Sequence, residues 1–92
     1  MRIRWTQSAI HDFTRICDYI GERGSGRTAR RIALTINQEI ERLAQFPEQG
    51  RTGRKPDTRE LVLSGLPYIV IYRIRDGQIE ILRILHGAQI WP

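Results

Sequence analysis

Residues Tyr68 to Arg75 read YIVIYRIR, and after Asp76-Gly77 the run Gln78 to His86 reads QIEILRILH. Both runs are rich in β-branched and aromatic side chains, which suit a pleated strand. Asp-Gly is a preferred pair for a two-residue hairpin turn, where both positions take positive φ. A turn of that length sets the register. Arg75 then faces Gln78, Arg73 faces Glu80, Ile71 faces Leu82 and Ile69 faces Ile84. The other side carries Ile74/Ile79, Tyr72/Ile81, Val70/Arg83 and Tyr68/Leu85. Arg73 and Glu80 are placed for a cross-strand ion pair worth roughly 0.2–1 kcal/mol. Both faces are apolar near the middle, so this hairpin must be covered. One face has to receive the rest of the chain. The other is expected to be covered in part by the chain end, Ile90 and Trp91, or by a partner.

The covering layer is legible upstream. Arg2 to Trp5 suits a short strand, after which Thr6 or Ser8 can cap a helix. Ala9, Phe13, Ile16, Cys17 and Ile20 recur at steps of 3 and 4, which predicts a helix over 8–23 with one apolar stripe. Gly21, Gly24 and Gly26 mark a tight turn. A second helix is predicted over 26–45, buried along Ala29, Ile32, Ala33, Ile36, Ile40 and Leu43. Pro47 stops it. Residues 50–58 read as loop, Arg59 to Leu63 as a short strand, and Ser64 to Pro67 as a turn. The expected fold is a single α+β domain over residues 1–92, ordered β-α-α-β-β-β, with the helix hairpin packed on a small sheet.

Charge narrows the partners. Fifteen Lys and Arg against ten Asp and Glu give +5, and all the bases but Lys55 are arginine. Arginine suits planar contact with carboxylate or phosphate. Charge alone does not choose between an acidic protein and a nucleic acid. Cys17 stands alone, so no intrachain disulfide forms. Two separated histidines, His11 and His86, make a poor case for a metal, and no cofactor motif of the G-x-G-x-x-G or P-loop type occurs. No apolar run approaches the roughly 20 residues that span a bilayer, and the N-terminus lacks a long apolar signal segment. A cytoplasmic location is expected. The basic residues do not line up on one helix face, so the helix pair reads as a core cover, not as a reader of the major groove.

Chemistry can live in a few places. Arg83 is either an edge ion pair whose stem covers apolar surface, or an arginine facing an anion. His86, ending the last strand, is either a histidine hydrogen-bonded to a neighbouring loop or a proton carrier. Tyr68, Tyr72 and Trp91 are core or rim residues, or platforms for bases. Arg51, Arg54, Lys55 and Arg59 form the densest basic stretch, suited to phosphate or simply solvated. No Ser-His-Asp arrangement, carboxylate dyad or HExxH helix is present.

Four stretches carry a family resemblance across nearly the whole chain. They are Trp5-Thr6 before Ser8-Ala9; Phe46-Pro47-Glu48-Gln49-Gly50-Arg51; Arg59-Glu60-Leu61-Val62 with Pro67 to Arg73; and Ile79 to Gly87. In order and spacing the sequence resembles the RelE/ParE superfamily, toxins of bacterial type II toxin–antitoxin modules. The Leu85-His86-Gly87 ending and the long hairpin resemble the ParE-like branch.

The resemblance implies a mainly antiparallel sheet with the first strand beside the last. It implies a cognate antitoxin that wraps the toxin in a hetero-oligomer. ParE-like members poison DNA gyrase; RelE-like members are ribosome-dependent mRNA endonucleases. On the first implication the protein inhibits without catalysis. On the second, a metal-free RNase would use His86 for proton transfer, Arg83 and Arg73 for the developing phosphorane charge, and Arg59 for the backbone. A third possibility is a non-toxic homologue that keeps antitoxin contact.

Overall fold

The computed structural model describes residues 1–87 and 89. The elements are β1 (Arg2–Trp5), α1 (Gln7–Arg23), α2 (Gly26–Glu41), β2 (Arg51–Thr52), β3 (Arg59–Val62), β4 (Tyr68–Arg75) and β5 (Gln78–His86). The sheet order is β1-β5-β4-β3-β2, with β1 parallel to β5 and the other pairs antiparallel. Thr6 starts α1: its Oγ1 accepts the Ala9 N–H at 3.2 Å and its hydroxyl donates to the Ile81 carbonyl at 2.9 Å. One residue thus ends β1, caps the helix and ties both to β5. Ser25 caps α2 in the same way, accepting the Thr28 N–H at 3.1 Å.

The helices lie on one face of the sheet. Ala9, Ile36, Ile40 and Leu43 meet Val70, Tyr72, Ile79 and Ile81, all without exposed surface. Trp5 and Phe13 close this layer edge to face, with centroids 5.4 Å apart. Asp76 and Gly77 both take positive φ, at 52° and 70°, as a two-residue turn of this hand requires.

Three expectations need correction. Residues 50–58 are not wholly loop, because Arg51–Thr52 pairs with Glu60 and Arg59 as a fifth strand. The helix predicted to Gln45 ends at Glu41 and tightens into one 3₁₀ turn over Arg42–Ala44. The β4–β5 register holds from Arg75/Gln78 to Tyr72/Ile81 and then shifts by one. An irregularity at Leu82 places Ile71 opposite Arg83, Ile69 opposite Leu85 and Tyr68 opposite His86. It falls where β1 has left the sheet and Thr6 Oγ1 sits 3.0 Å from the Leu82 carbonyl. A bulge re-aims the side chains beyond it. Arg83 is therefore not opposite Val70 on the core face. Ile90 and Trp91, expected to cover the outer face, lie outside the described residues.

Tyr72 locks the 47–50 segment to the sheet. Its hydroxyl donates to the Pro47 carbonyl at 2.7 Å and accepts the Gly50 N–H at 2.8 Å. Burial, opposed by the Gly50 N–H and Arg59, raises its pKa above the usual 10. The native state thus prefers the neutral phenol. The associated stability is complete below pH 10 and falls as pH climbs through the raised native value. Tyr72→Phe should cost about 1–3 kcal/mol at pH 7, since it orphans the buried partners. It should also flatten the alkaline limb of a denaturation series. An equally steep limb in the variant would show that other groups drive it.

Candidate functional site

Val70, Tyr72, Ile79 and Ile81 point at the helices, so alternation puts Arg73 and Glu80 on the outer face. Arg4, Glu80 and Arg73 stand in one row across β1, β5 and β4. The buried Glu80 carboxylate binds the Arg4 guanidinium through Oε2 and the Arg73 Nε through Oε1, the latter at 2.5 Å. Glu60 does the same one row over. Its Oε1 accepts from Arg51 Nη2 at 3.0 Å, and its Oε2 accepts the Arg54 N–H at 3.2 Å. Each carboxylate is nearly buried, so each needs its cations. Arg2 and Arg75 flank Gln78 in a further row. Four arginines thus hold two glutamates, and with Arg2 and Arg75 beside them these residues carry four more positive charges than negative.

The basic loop divides in two. Arg51 and Arg54 belong to the Glu60 cluster. Arg59 serves the 46–51 segment: its Nη1 donates to the Gly50 carbonyl at 2.8 Å, and Nη2 lies 3.6 Å from Glu48 Oε1. Lys55 is exposed, and its carbonyl accepts the Thr58 hydroxyl at 2.6 Å. Asp57 turns this loop at φ 64°.

His86 lies at the other end of β5, in a groove of about 630 Å³ between α1 and the end of the β4–β5 hairpin. Ile16, Tyr19, Tyr68 and Ile84 line it, with Asp18, Glu22 and Gln89 at hand. The His86 ring meets Tyr68 edge-on at 6.0 Å, and its backbone N–H donates to Gln89 Oε1 at 2.6 Å. Burial raises the Tyr68 hydroxyl above its usual value. Beside the groove, Arg83 clasps Asp12 of α1, Nε to Oδ2 at 2.6 Å and Nη2 to Oδ1 at 3.0 Å. Asp12 Oδ2 also accepts the Ile84 N–H at 2.9 Å. The hydrogen bonds from Arg83 to the Asp12 carboxylate raise the Arg83 pKa above its already high value, against the opposing effect of burial.

The expected residues do not converge on one centre. Arg73 is bound to Glu80, six residues before His86 along β5, or about 20 Å at strand rise. Arg83 is held by a carboxylate on α1. Among the described residues, no group of three or more His, Cys, Asp or Glu is placed to hold a metal. The carboxylates that organise the arginines, Asp12, Glu60 and Glu80, were the unread half of the site, apart from the Arg73–Glu80 pair. A signal for Asp12 existed: it lies on the apolar stripe, three residues after Ala9 and four before Ile16.

A sequence profile of the ParE toxin of type II toxin–antitoxin systems matches residues 3–91. The chain belongs to the ParE toxin family. Two curated relatives are named as toxins. Y4kP of Sinorhizobium fredii is 45% identical over 91 residues, covering 99% of this chain and 93% of that protein. Toxin RelE2 of Caulobacter vibrioides is 39% identical over 89 residues, covering 97% and 98%. Among solved structures, the chromosomal ParDE system of P. aeruginosa superposes with a TM-score of 0.88 at 28% identity, covering 94% of this chain and 95% of that one. The intact E. coli RelBE complex superposes at 0.68 with 12% identity, covering 96% and 98%, a likeness of fold alone. Two of the stretches that carry the superfamily resemblance now have physical roles. The Phe46–Arg51 stretch is the segment gripped by Tyr72 and Arg59, and Thr6 is the junction of strand, helix and sheet.

Proposed function

We propose that this ParE-family toxin arrests growth by acting on DNA gyrase and that a cognate antitoxin neutralises it. The observation that carries the target is the dispersal of Arg73, Arg83 and His86. A general acid–base pair with cations on the phosphorane needs its groups within a few ångströms of one scissile bond. Here the cations are engaged with Glu80 and Asp12, and Arg73, on β4 beside Glu80, lies toward the opposite end of the β4–β5 hairpin from His86. A toxin that inhibits by binding needs no such convergence. The outer-face surplus of positive charge suits an acidic, partly disordered antitoxin segment that folds on contact. A bacterial cytoplasmic location goes with that target, and no helix among the described residues is long and apolar enough to cross a membrane.

The test is a supercoiling and cleavage assay with purified gyrase and antitoxin-free toxin. Supercoiling should fall and broken DNA accumulate. Supercoiling unchanged at excess toxin would sink the gyrase target. Site-specific cleavage of ribosome-bound mRNA, slowed roughly 10²-fold or more in His86→Ala, would instead establish the interferase activity.

A further inference from the structure

The four arginines at the end of the helix hairpin run against the logic of the helix that carries most of them. Arg27 lies in the first turn of α2, where the macrodipole is positive and a cation is unfavourable, and Arg30 and Arg31 follow in the second. That first turn holds no acidic residue, and the last turn, where a cation would help, holds no basic one. The three stand at i, i+3 and i+4, so their like charges are neighbours and destabilise the helix further. Arg23 joins them from the last turn of α1, its guanidinium over the Tyr19 ring at 4.8 Å. The hairpin closes tightly here: a Cβ on Gly21 would sit 3.9 Å from the Ala29 Cβ. All four arginines are exposed, and among the described residues none meets a carboxylate. Glu22 is the only acidic residue between Tyr19 and Leu34. This contrasts with the outer sheet face, where two buried glutamates hold four arginines in place.

A local rule broken with no compensation inside the fold marks a place where the compensation is external. We propose that the hairpin end is a phosphate-contact surface that binds the backbone of duplex DNA. An acidic protein segment is the less favoured occupant. Protein hot spots use apolar anchors seated in pockets. Around the arginines lie Ser25, Thr28 and Thr35, with Leu34 and, under Arg23, Tyr19 as the exposed large apolar side chains, neither seated in a pocket between them. The groove beside His86 reaches this end only through Tyr19 and Glu22 at its rim, and the cleft beside Phe46 lies elsewhere. A phosphate backbone asks only for guanidinium groups at regular intervals, without a pocket. The binding does not depend on gyrase, and it gives a toxin docked on a DNA-handling partner a second foothold.

Fluorescence anisotropy of a labelled 30-bp duplex with the antitoxin-free chain, from about 50 to 200 mM salt, tests this. The wild type should bind with a slope of log K against log salt of about −3 to −4, near 0.9 for each arginine engaged. Arg27→Gln/Arg30→Gln/Arg31→Gln should lower the magnitude of that slope by about 3. Unchanged circular dichroism and a melting temperature at or above that of the wild type, as relief of the like-charge repulsion requires, would show that the variant stays folded. Arg42→Gln removes an exposed arginine paired with Glu39 and should leave the slope alone. No duplex binding by the wild type at 50 mM salt would overturn the proposal, as would a slope retained in the triple variant or lost equally in Arg42→Gln. Binding to poly-glutamate but not to DNA, lost in the triple variant, would assign the surface to an acidic protein instead. No gyrase is present, so each result is separable from the supercoiling assay.

Discussion

Asp12→Ala is expected to lower the unfolding free energy by about 2–4 kcal/mol. That is a large part of the total for a domain of this size. Asp12 holds α1 to the stretch of β5 that β1 has left uncovered. β1 pairs only as far as Ile81, so beyond it the edge N–H groups of β5 need another acceptor. The carboxylate supplies one to Ile84 and both its oxygens to Arg83. The alanine variant orphans a buried N–H and leaves a charge without its partner. Arg83 retains about a third of its side-chain exposure and can recover some hydration, which keeps the cost below that of a fully buried pair. The corresponding fall in melting temperature is on the order of 10–25 °C. Urea denaturation of Asp12→Ala, Arg83→Met and the double variant gives the coupling directly. A coupling under about 0.5 kcal/mol, with Asp12→Ala nearly neutral, would show that the clasp holds nothing.

Asp12 also shows where sequence reasoning stops. Periodicity finds α1 because Ala9, Phe13, Ile16 and Ile20 repeat, and a carboxylate on the same stripe looks like a break in the pattern. What resolves it is the strand edge beneath, and that depends on β1 ending at Trp5. The same dependence hid the irregularity at Leu82. A two-residue Asp-Gly turn propagates a register only until one strand gains a residue, and that gain falls where Thr6 bonds the Ile81 and Leu82 carbonyls, 75 and 76 positions away in sequence. Local signals therefore placed every major strand and both helices, while the face of Arg83 needed the tertiary contact. For the basic loop, Arg51, Arg54, Lys55 and Arg59 were recognised as a dense stretch, but their division between Glu60 and Glu48 is set by strand pairing. Helix spacing sets Arg27, Arg30 and Arg31 side by side, and the two-residue turn folds the end of α1, with Arg23, back beside the start of α2.

Gly50→Ala should destabilise the domain by about 3 kcal/mol, the upper part of the range for overpacking. A Cβ at this position would lie 2.7 Å from Tyr72 Cε1, 2.8 Å from its hydroxyl oxygen and 3.1 Å from the Glu60 carbonyl carbon. None of these can yield cheaply. Tyr72 has no exposed surface and is held by the Pro47 carbonyl on one side and the Gly50 N–H on the other. Glu60 is fixed between β2 and β4. Relief requires the 47–51 segment to lift off the sheet, which breaks both Tyr72 hydrogen bonds and moves Arg51 away from Glu60. The variant should therefore lose order at the Glu60 cluster before it loses the helix layer. Hydrogen exchange would show this as faster exchange of Gly50 and Arg54 at constant protection of Ile36 and Ile40. Gly26→Ala is the control of opposite sign. It opens α2, and a Cβ there meets nothing within 4 Å, so it should stabilise by about 0.4–1 kcal/mol. If both substitutions shift stability alike, the difference between them is not packing, and the role assigned to Tyr72 fails.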